Sequence, residues 1–561
     1  MANFLYAQTT PLFLLSRLGS LNPHFDMSRY LEKFGRLETN LDRVNFVYKD
    51  LRKFKLFPKS VKCGKSDAES QGLRERGNEA FGEGGYRLAL ERYTASLAAA
   101  KGPGFLALAF ANRSACLYKL GRFQECLTDI ERAFANNYPE RLKPKLIERR
   151  KNAEKLLASS KPPQPYHEDT PEFAEFEKHP KIQCAKNCVE IKRNDEFGRH
   201  VVATRDITIG EILCVENPYA IILTDDPLIH CAMCLELCYN TIPCDNCLFL
   251  LFCSEECKNK ANSTFHKYEC PILASLVDCG IRDTELVALR VAISARGDYE
   301  SLSSPNPNVD EEEVYCSNRY KEIHNLMPAT DKQDVNDLFE QAVTAALMYH
   351  FLRGLTDFFN NDDMKRVFKE VVLLQIQIVD LNQRGLDEKR KLCDSETENF
   401  AIGIYAFTSL FNHSCCPNVE QTMYGSAMVL RSVNTIKKDQ QCFISYGLTY
   451  GHTPRVLRQK VLKECYFFDC RCMACRKNWH PSDDLIPFKY PLYMDLKMTA
   501  TEAMIMEMEL NCHDVSAAKK YLPHLIRQLQ RCEDFEPWGN ALNLKRLIVK
   551  CYYILGNKKV F

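Results

Sequence analysis

The chain has 561 residues, 45% of them hydrophobic, with 74 basic against 73 acidic side chains and a formal net charge of +1. That length supports several domains with cores of their own, and the balanced charge argues against a broad nucleic-acid footprint. The 27 cysteines, many in C-x-x-C pairs and without a strong leader, read as metal ligands of an intracellular protein, not as disulfides of a secreted one. Met1 to Ser20 is only mildly apolar, is broken by Gln8, Thr9, Thr10, Ser16 and Arg17, and lacks a small-residue cleavage site. It makes a poor signal peptide and, being acid-free with an Arg, at most a weak mitochondrial presequence. No run approaches the ~18 apolar residues of a membrane helix.

Residues 1–66 form an N-terminal segment in which, from Asp26 to Pro58, charged and aromatic residues alternate at loosely helical spacing without assignable chemistry. In residues 67–158, Leu73 to Phe81 leads to Gly84, Tyr86, Ala89, Tyr93 and Ser96, and a second copy runs through Asn112, Ser114, Ala115, Tyr118, Gly121, Phe123, Cys126, Ile130 and Ala133. Overlaying Gly84 on Gly121 also overlays Tyr86 on Phe123, close to the ~34-residue tetratricopeptide period once Lys101 to Gly104 is treated as an insertion. Lys143 to Leu157 makes the closing helix. Arg74 and Asn78 lie four apart on one helix, Asn112 takes the equivalent place in the next repeat, and Lys145 and Arg149 lie four apart on the third, so all five can face one groove. The set is similar to the carboxylate clamp of repeat domains that grip acidic C-terminal tails of the 70- and 90-kDa heat-shock chaperones. Solvated helix charges are the equal alternative.

Residues 159–182, with Lys161-Pro162-Pro163-Gln164-Pro165, read as a linker. In 183–228, Val201 to Thr204 and Glu211 to Val215 predict short strands separated by Ile209-Gly210. Residues 229–272 hold Cys231 and Cys234, Cys244 and Cys247, Cys253 and Cys257, and His266 and Cys270, four pairs that fit two tetrahedral zinc ions. So short a module buries little core, and metal supplies most of its folding energy. Cys238 falls outside the pattern as a small buried hydrophobe. Residues 273–397 read as largely helical, as at Thr284 to Ala295 and Val335 to Phe351, broken by a polar loop from Ser301 to Glu313. In 398–464 the apolar run Phe400 to Phe411 ends in Asn412-His413-Ser414-Cys415-Cys416-Pro417-Asn418, and Tyr446 follows in Ile444-Ser445-Tyr446-Gly447. In 465–478, Cys470, Cys472 and Cys475 supply three thiolates at ligand spacing, and Cys415 can deliver the fourth. Helices return in 479–561 at Met494 to Met508, Val515 to Gln530 and Trp538 to Ile554.

The N-H-S-C-x-P-N stretch, the strand-end tyrosine and the terminal C-x-C-x-x-C resemble the SET domain of lysine methyltransferases. The upstream Cys/His block narrows the resemblance to the SET and MYND domain-containing (SMYD) family, closest to its member with N-terminal tetratricopeptide repeats, over residues 70 to 480. It implies an α+β multidomain fold: N-terminal α-helical repeats, a β-rich SET core split by a zinc-binding MYND finger and a helical insert, a post-SET zinc site and C-terminal helices. The implied activity is S-adenosylmethionine-dependent methylation of a lysine in a histone or other protein, in cytoplasm and nucleus. In the finger the pairs alternate, Cys231, Cys234, Cys253 and Cys257 holding one zinc and Cys244, Cys247, His266 and Cys270 the other. Cys415, Cys470, Cys472 and Cys475 hold a third. The resemblance places Asn412 and His413 on the cofactor, Gly198, Arg199 and His200 at its polar end, and Phe468 against its adenine. Tyr446 stands beside the transferred methyl and Tyr466 lines the lysine channel. The finger reads first as a structural staple, with a groove for proline-containing co-repressor peptides as the alternative. His200, where the family has a glycine, and the short C-terminal region favour the competing class, a chaperone-linked or transcriptional-repressor adaptor with a SET scaffold of little or no activity.

Overall fold

In the computed structural model the described residues are 26–62, 64–160, 166–302, 314–390, 397–480, 498–533, 536–537 and 540–559. The presequence reading of Met1 to Ser20, the Lys161 to Pro165 run, most of the Ser301 to Glu313 loop and the starts of the helices expected from Met494 and Trp538 lie outside them.

The alternating stretch after Asp26 folds as α1 (Met27–Gly35) and α2 (Asn40–Lys53), whose N-cap side chains, Asp26 and Thr39, accept from the backbone N–H of Arg29 and Asp42. Next come helical hairpins α3 (Asp67–Gly82) with α4 (Tyr86–Ala99) and α5 (Pro103–Lys119) with α6 (Phe123–Ala135), then α7 (Lys143–Ser159). Gly84 and Gly121, at φ of +81° and +73°, make the turn inside each hairpin, a conformation side chains resist. Gly77 lets the first hairpin close, since a Cβ there would lie 2.5 Å from the Tyr93 ring. In the second hairpin the fully buried Arg113 grips Asp129 through Nε and Nη2, at 2.7 and 3.0 Å, and donates to Thr94 Oγ1.

Of the expected linker 159–182, the part from Tyr166 on is no free tether. The Tyr166 hydroxyl donates to Glu388, the His167 ring meets Glu236 at 2.6 Å, and the Glu168 N–H reaches the Leu555 carbonyl. Strands β1 (Val189–Asn194) and β2 (Gly198–Ala203) form a hairpin, followed by β3 (Ile212–Glu216) and β4 (Ala220–Leu223). The cysteine block folds around a short hairpin, β5 (Ile242–Pro243) with β6 (Leu251–Phe252), and a helix, α8 (Glu255–Ala261). Arg290, on α9 (Asp283–Ser294), ties this block to the core by a two-point grip on Glu269 and by lying 3.9 Å from the Phe265 ring.

Two long helices follow, α10 (Val335–Leu355) and α11 (Asp362–Asn382), and the N-terminal helices pack on them: Phe34 meets Phe339 and Tyr48 meets Tyr349, each at 5.1 Å between ring centres. The stretch 273–397 is not helical to its end. Gln383 opens β7 (Gln383–Arg390), antiparallel to β8 (Thr397–Ile404), which pairs in turn with β4. The chain continues through β9 (Asn412–His413), β10 (Val419–Tyr424), β11 (Ala427–Ser432) and β12 (Phe443–Ile444), with a second sheet in the order β10-β11-β3. Helix α12 (Arg455–Tyr466) leads to the last thiols, and α13 (Ala500–Asn511), α14 (Val515–Cys532) and α15 (Asn540–Leu555) build a separate apolar core that meets the sheets at Ile209 and Val433. The chain then adds β13 (Lys558–Lys559) parallel to β7, and the Asn557 amide exchanges two hydrogen bonds with the backbone of Gly425. No helix among the described residues is long and apolar enough to cross a membrane.

Candidate active site and thiol clusters

Among the described residues three groups bring four ligand atoms each within 4.8 Å of one another: Cys231, Cys234, Cys253 and Cys257; Cys244, Cys247, His266 and Cys270; and Cys415, Cys470, Cys472 and Cys475. These are the alternating and long-range groupings expected from the sequence. A zinc–thiolate bond of about 2.3 Å fixes the edge of the ligand tetrahedron at about 3.8 Å. The sulfur pairs measure 3.7 Å (Cys234 and Cys253), 3.6 Å (Cys253 and Cys257), 3.9 Å (Cys244 and Cys270), 3.9 Å (Cys415 and Cys470) and 3.5 Å (Cys415 and Cys475). These separations fit shared metal and are far too long for disulfides. A π-helical turn, Asn262–His266, brings His266 Nε2 to 3.2 Å from Cys244 Sγ and 3.5 Å from Cys247 Sγ. Cys238 stays outside, its thiol on the Asn240 side chain.

The apolar run before Asn412 is buried to Phe411, so the polar residues that follow emerge at the edge of the core. There β9 pairs in parallel with β12, Asn412 opposite Phe443 and His413 opposite Ile444, which brings Tyr446 over His413. The Tyr446 N–H donates to His413 Nδ1 at 3.0 Å, so Nε2 carries the ring proton and faces the Cys415 sulfur at 3.3 Å. Burial pulls the His413 pKa down to about 4, which keeps the ring neutral and that tautomer fixed. One imidazole therefore joins the third thiol cluster to the backbone of Tyr446. The Tyr446 hydroxyl donates to the Phe411 carbonyl at 3.0 Å, and burial raises its pKa, so the phenol is protonated.

After α12 the chain turns at Phe467 in the left-handed region, φ +60°, a strained choice for a bulky residue. The turn sends Tyr466 to 5.0 Å from the Tyr446 ring and Phe468 to 6.2 Å from the His413 ring. On the other side Asn412 donates its amide to the Phe197 carbonyl, next to Gly198 at φ +62°. His200, buried, folds back on the Gly198 carbonyl, while Arg199 donates to the Asn325 carbonyl. The eight residues expected at the cofactor and the reacting centre thus fall into two neighbouring groups linked by Asn412: the turn of Gly198, Arg199 and His200, and the knot of His413, Tyr446, Tyr466 and Phe468.

Two features escaped the sequence reading. Arg384, on β7, holds its guanidinium 4.8 Å from the Tyr446 ring centre, and Cys416 sits beside the third cluster with its thiol 3.4 Å from Ser414 Oγ. Behind the knot, the fully buried Glu216 accepts from Phe407 N, Thr408 N and Thr408 Oγ1, each at 2.7 Å, pinning β3 to the turn that carries the apolar run.

In the N-terminal helical hairpins, Asn78 Oδ1 accepts from both Tyr93 Oη and Asn112 Nδ2, at 2.9 and 2.8 Å, and the charges of Arg74 and Arg149 act on the same phenol. Arg149 is turned inward onto Ala111 O and Ser114 Oγ, both at 2.7 Å, while Lys145 is exposed. Four of the five expected clamp residues therefore surround Tyr93, and Lys145 stands on the exposed surface.

The SET domain family model matches residues 198–447. Protein-lysine N-methyltransferase SMYD4 of Homo sapiens is 24% identical over 556 residues, covering 76% of this chain and 69% of that protein. Its Mus musculus counterpart is 25% identical over 532 residues, 72% of this chain and 66% of that one. A SET and MYND domain-containing protein of Dictyostelium discoideum is 26% identical over 336 residues, 53% of this chain and 84% of that one. The solved SET domain of LSMT bound to lysine and AdoHcy aligns at 12% identity over 66% of this chain and 85% of that one, with a TM-score of 0.24, too loose to compare sites.

Proposed function

We propose that the chain is a member of the SET and MYND domain-containing (SMYD) family and, on that premise, an S-adenosylmethionine-dependent protein-lysine N-methyltransferase with three structural zinc sites. The observation that carries the reading is the parallel pairing of β9 with β12, which sets Tyr446 above His413 with a four-thiol cluster directly behind. S-adenosylmethionine, when bound, supplies an electrophilic methyl on a sulfonium. The chain's own residues must orient an amine, keep it dry and receive it neutral. Deprotonating a lysine at pH 7 costs about 4.6 kcal/mol, from about 3.4 pH units at about 1.36 kcal/mol each. The rings of Tyr446 and Tyr466 form an aromatic wall suited to the alkyl stem, and the Phe411 carbonyl holds the Tyr446 hydroxyl at a set point. Gly198, Arg199, His200, Asn412, His413 and Phe468 would hold the cofactor. Cys415, Cys470, Cys472 and Cys475 would hold zinc, which would fix Tyr466 and Phe468 in place through the short link between them and Cys470.

The two finger clusters fit zinc as a structural staple, the reading favoured over a peptide groove. The hairpins fit tetratricopeptide repeats whose Arg74, Asn78, Asn112 and Arg149 would take the C-terminal carboxylate of an acidic tail, such as those of the heat-shock chaperones, with Lys145 at the rim. Cytoplasm and nucleus are the compartments such substrates and partners imply.

The test is transfer of labelled methyl to proteins of a cell lysate by wild type beside Tyr446→Phe. The expected result is labelled bands with wild type, at least a hundredfold less label with the variant, and unchanged S-adenosylmethionine affinity by calorimetry. Failure of the wild type to bind S-adenosylmethionine would leave the adaptor reading instead.

A further inference from the structure

β7 lays a cation against the wall where an acceptor amine would arrive. Arg384 is only 8% exposed, its guanidinium stands 4.8 Å from the Tyr446 ring centre, and Tyr446 is itself 5.0 Å from Tyr466. Its Nε is buried without a hydrogen-bond partner. Among the described residues no carboxylate lies within ion-pair distance of it. From the elements packed around it, Tyr446 and Tyr466 present phenols, His413 a neutral imidazole and Glu216 a carboxyl already committed to Phe407 and Thr408. On its own strand, Glu388 is engaged by His230 and Tyr166. The Tyr446 phenol and, more distantly, the Glu216 carboxyl offset part of the Arg384 charge, but a buried guanidinium with no ion-pair partner still opposes folding, so its position beside the reacting tyrosine calls for a functional account.

We infer that Arg384 is a charge filter on the acceptor pocket, turning away a protonated primary amine and admitting the neutral, nucleophilic form. The inference rests on the lysine-methyltransferase reading and deepens it. Two like charges about 5 Å apart at the effective dielectric of a protein site disfavour one another by of the order of a hundredfold or more. The proton is left with solvent before the amine enters, and no further group has to remove it inside the pocket. Such a filter lowers no barrier for the rare neutral amine. It prevents the abundant ammonium from occupying the pocket unproductively, a distinction that shows in kcat and KM moving together.

The filter is read without turnover by calorimetric titration of n-butylamine, the end of a lysine side chain, into the full chain saturated with S-adenosylhomocysteine, from about pH 7 to about pH 10. Wild type is expected to bind about tenfold more tightly per pH unit, because only the neutral fraction of an amine titrating at ~10.4 is taken. Arg384→Met is expected to bind about a hundredfold more tightly at pH 7, with a flattened slope, and Arg384→Lys to keep the wild-type slope. Arg384→Gln gives the same reading should the methionine variant fold poorly. Equal slopes in wild type and Arg384→Met, weaker binding in the variant at pH 7, or no amine binding in any of the proteins overturns the filter. Absence of S-adenosylhomocysteine binding counts against the methyltransferase reading instead, and the amine titration run without that compound still decides the filter.

Discussion

His413 holds a fixed tautomer because each ring nitrogen has one task, Nδ1 accepting from Tyr446 N and Nε2 facing the Cys415 thiol. Replacing it with Leu strips both contacts while keeping the volume similar. Leaving the Tyr446 N–H unmatched should cost about 1–3 kcal/mol of stability, read by urea denaturation, with methyl transfer falling at least tenfold as Tyr446 loses its anchor. Glu216 makes a second residue-scale case. Its carboxyl is driven up to about 7 by burial, against the pull of its three donors. A carboxyl whose folded value lies above its unfolded one contributes stability below the unfolded value and loses it as pH rises through the folded one. Wild type should therefore lose up to about 3 kcal/mol relative to Glu216→Gln between about pH 4.5 and about pH 7, measured as the difference between paired denaturation curves. The cysteine pairs and Tyr446 were legible because metal-ligand spacing and the N-H-S-C-x-P-N knot are local patterns. Arg384 was not, because its meaning comes from where β7 places it against Tyr446, and nothing in a string of residues states that adjacency.

At the scale of elements the sequence was most readable where apolar periodicity matched burial, as in the helix expected at Val515, which begins there and buries Ala517, Ala518, Tyr521, Leu525 and Leu529; the helix expected at Val335 also begins at that residue, but it is apolar and buried nearly all round. It was least readable at β7. The inward positions of that strand are Arg384, Leu386 and Glu388, so two of the three buried side chains are charged and the alternation of a half-buried strand is disguised. The helices α1 and α2 were equally opaque in purpose: their aromatics look surplus until Phe339 and Tyr349 are seen beneath them. The helical hairpins α3 to α6 hide a polar element that periodicity does not announce, the buried pair of Arg113 and Asp129 that staples α5 to α6. Asp129→Asn leaves a buried guanidinium without its counter-charge. The expected loss is about 3–5 kcal/mol, seen as earlier melting of the repeat hairpins in hydrogen exchange, while zinc content and cofactor binding stay unchanged.

Across the whole molecule the cysteine block at 229–272 is a spacer clasped from both sides. The N-terminal helical hairpins reach it through Arg122, 4.6 Å from the Tyr239 ring, and Arg132, which donates to the Asn240 carbonyl, while Arg290 holds its other side to the core. The strap at Tyr166 to Glu168 crosses from Glu388 and the Glu236 side of the cysteine block to the last helix, so that block, the sheet and the C-terminal helices share one seam. The Cys231 and Cys244 clusters and the Cys415 cluster therefore answer to different parts of the structure, and their losses should separate. A cysteine block that folds only around metal would release the N-terminal hairpins when Cys244→Ser opens its second site. The expected result is two zinc ions or fewer per chain by elemental analysis and new proteolytic cleavage at the Tyr166 to Glu168 strap, with S-adenosylmethionine affinity within about threefold of wild type. Cys470→Ser should do the reverse. It should leave that region protected and abolish S-adenosylmethionine binding, because Tyr466 and Phe468 lose the anchor that holds them beside Tyr446 and His413. If either variant produced both defects together, the seam would be one cooperative unit and the cysteine block could not be a separable spacer.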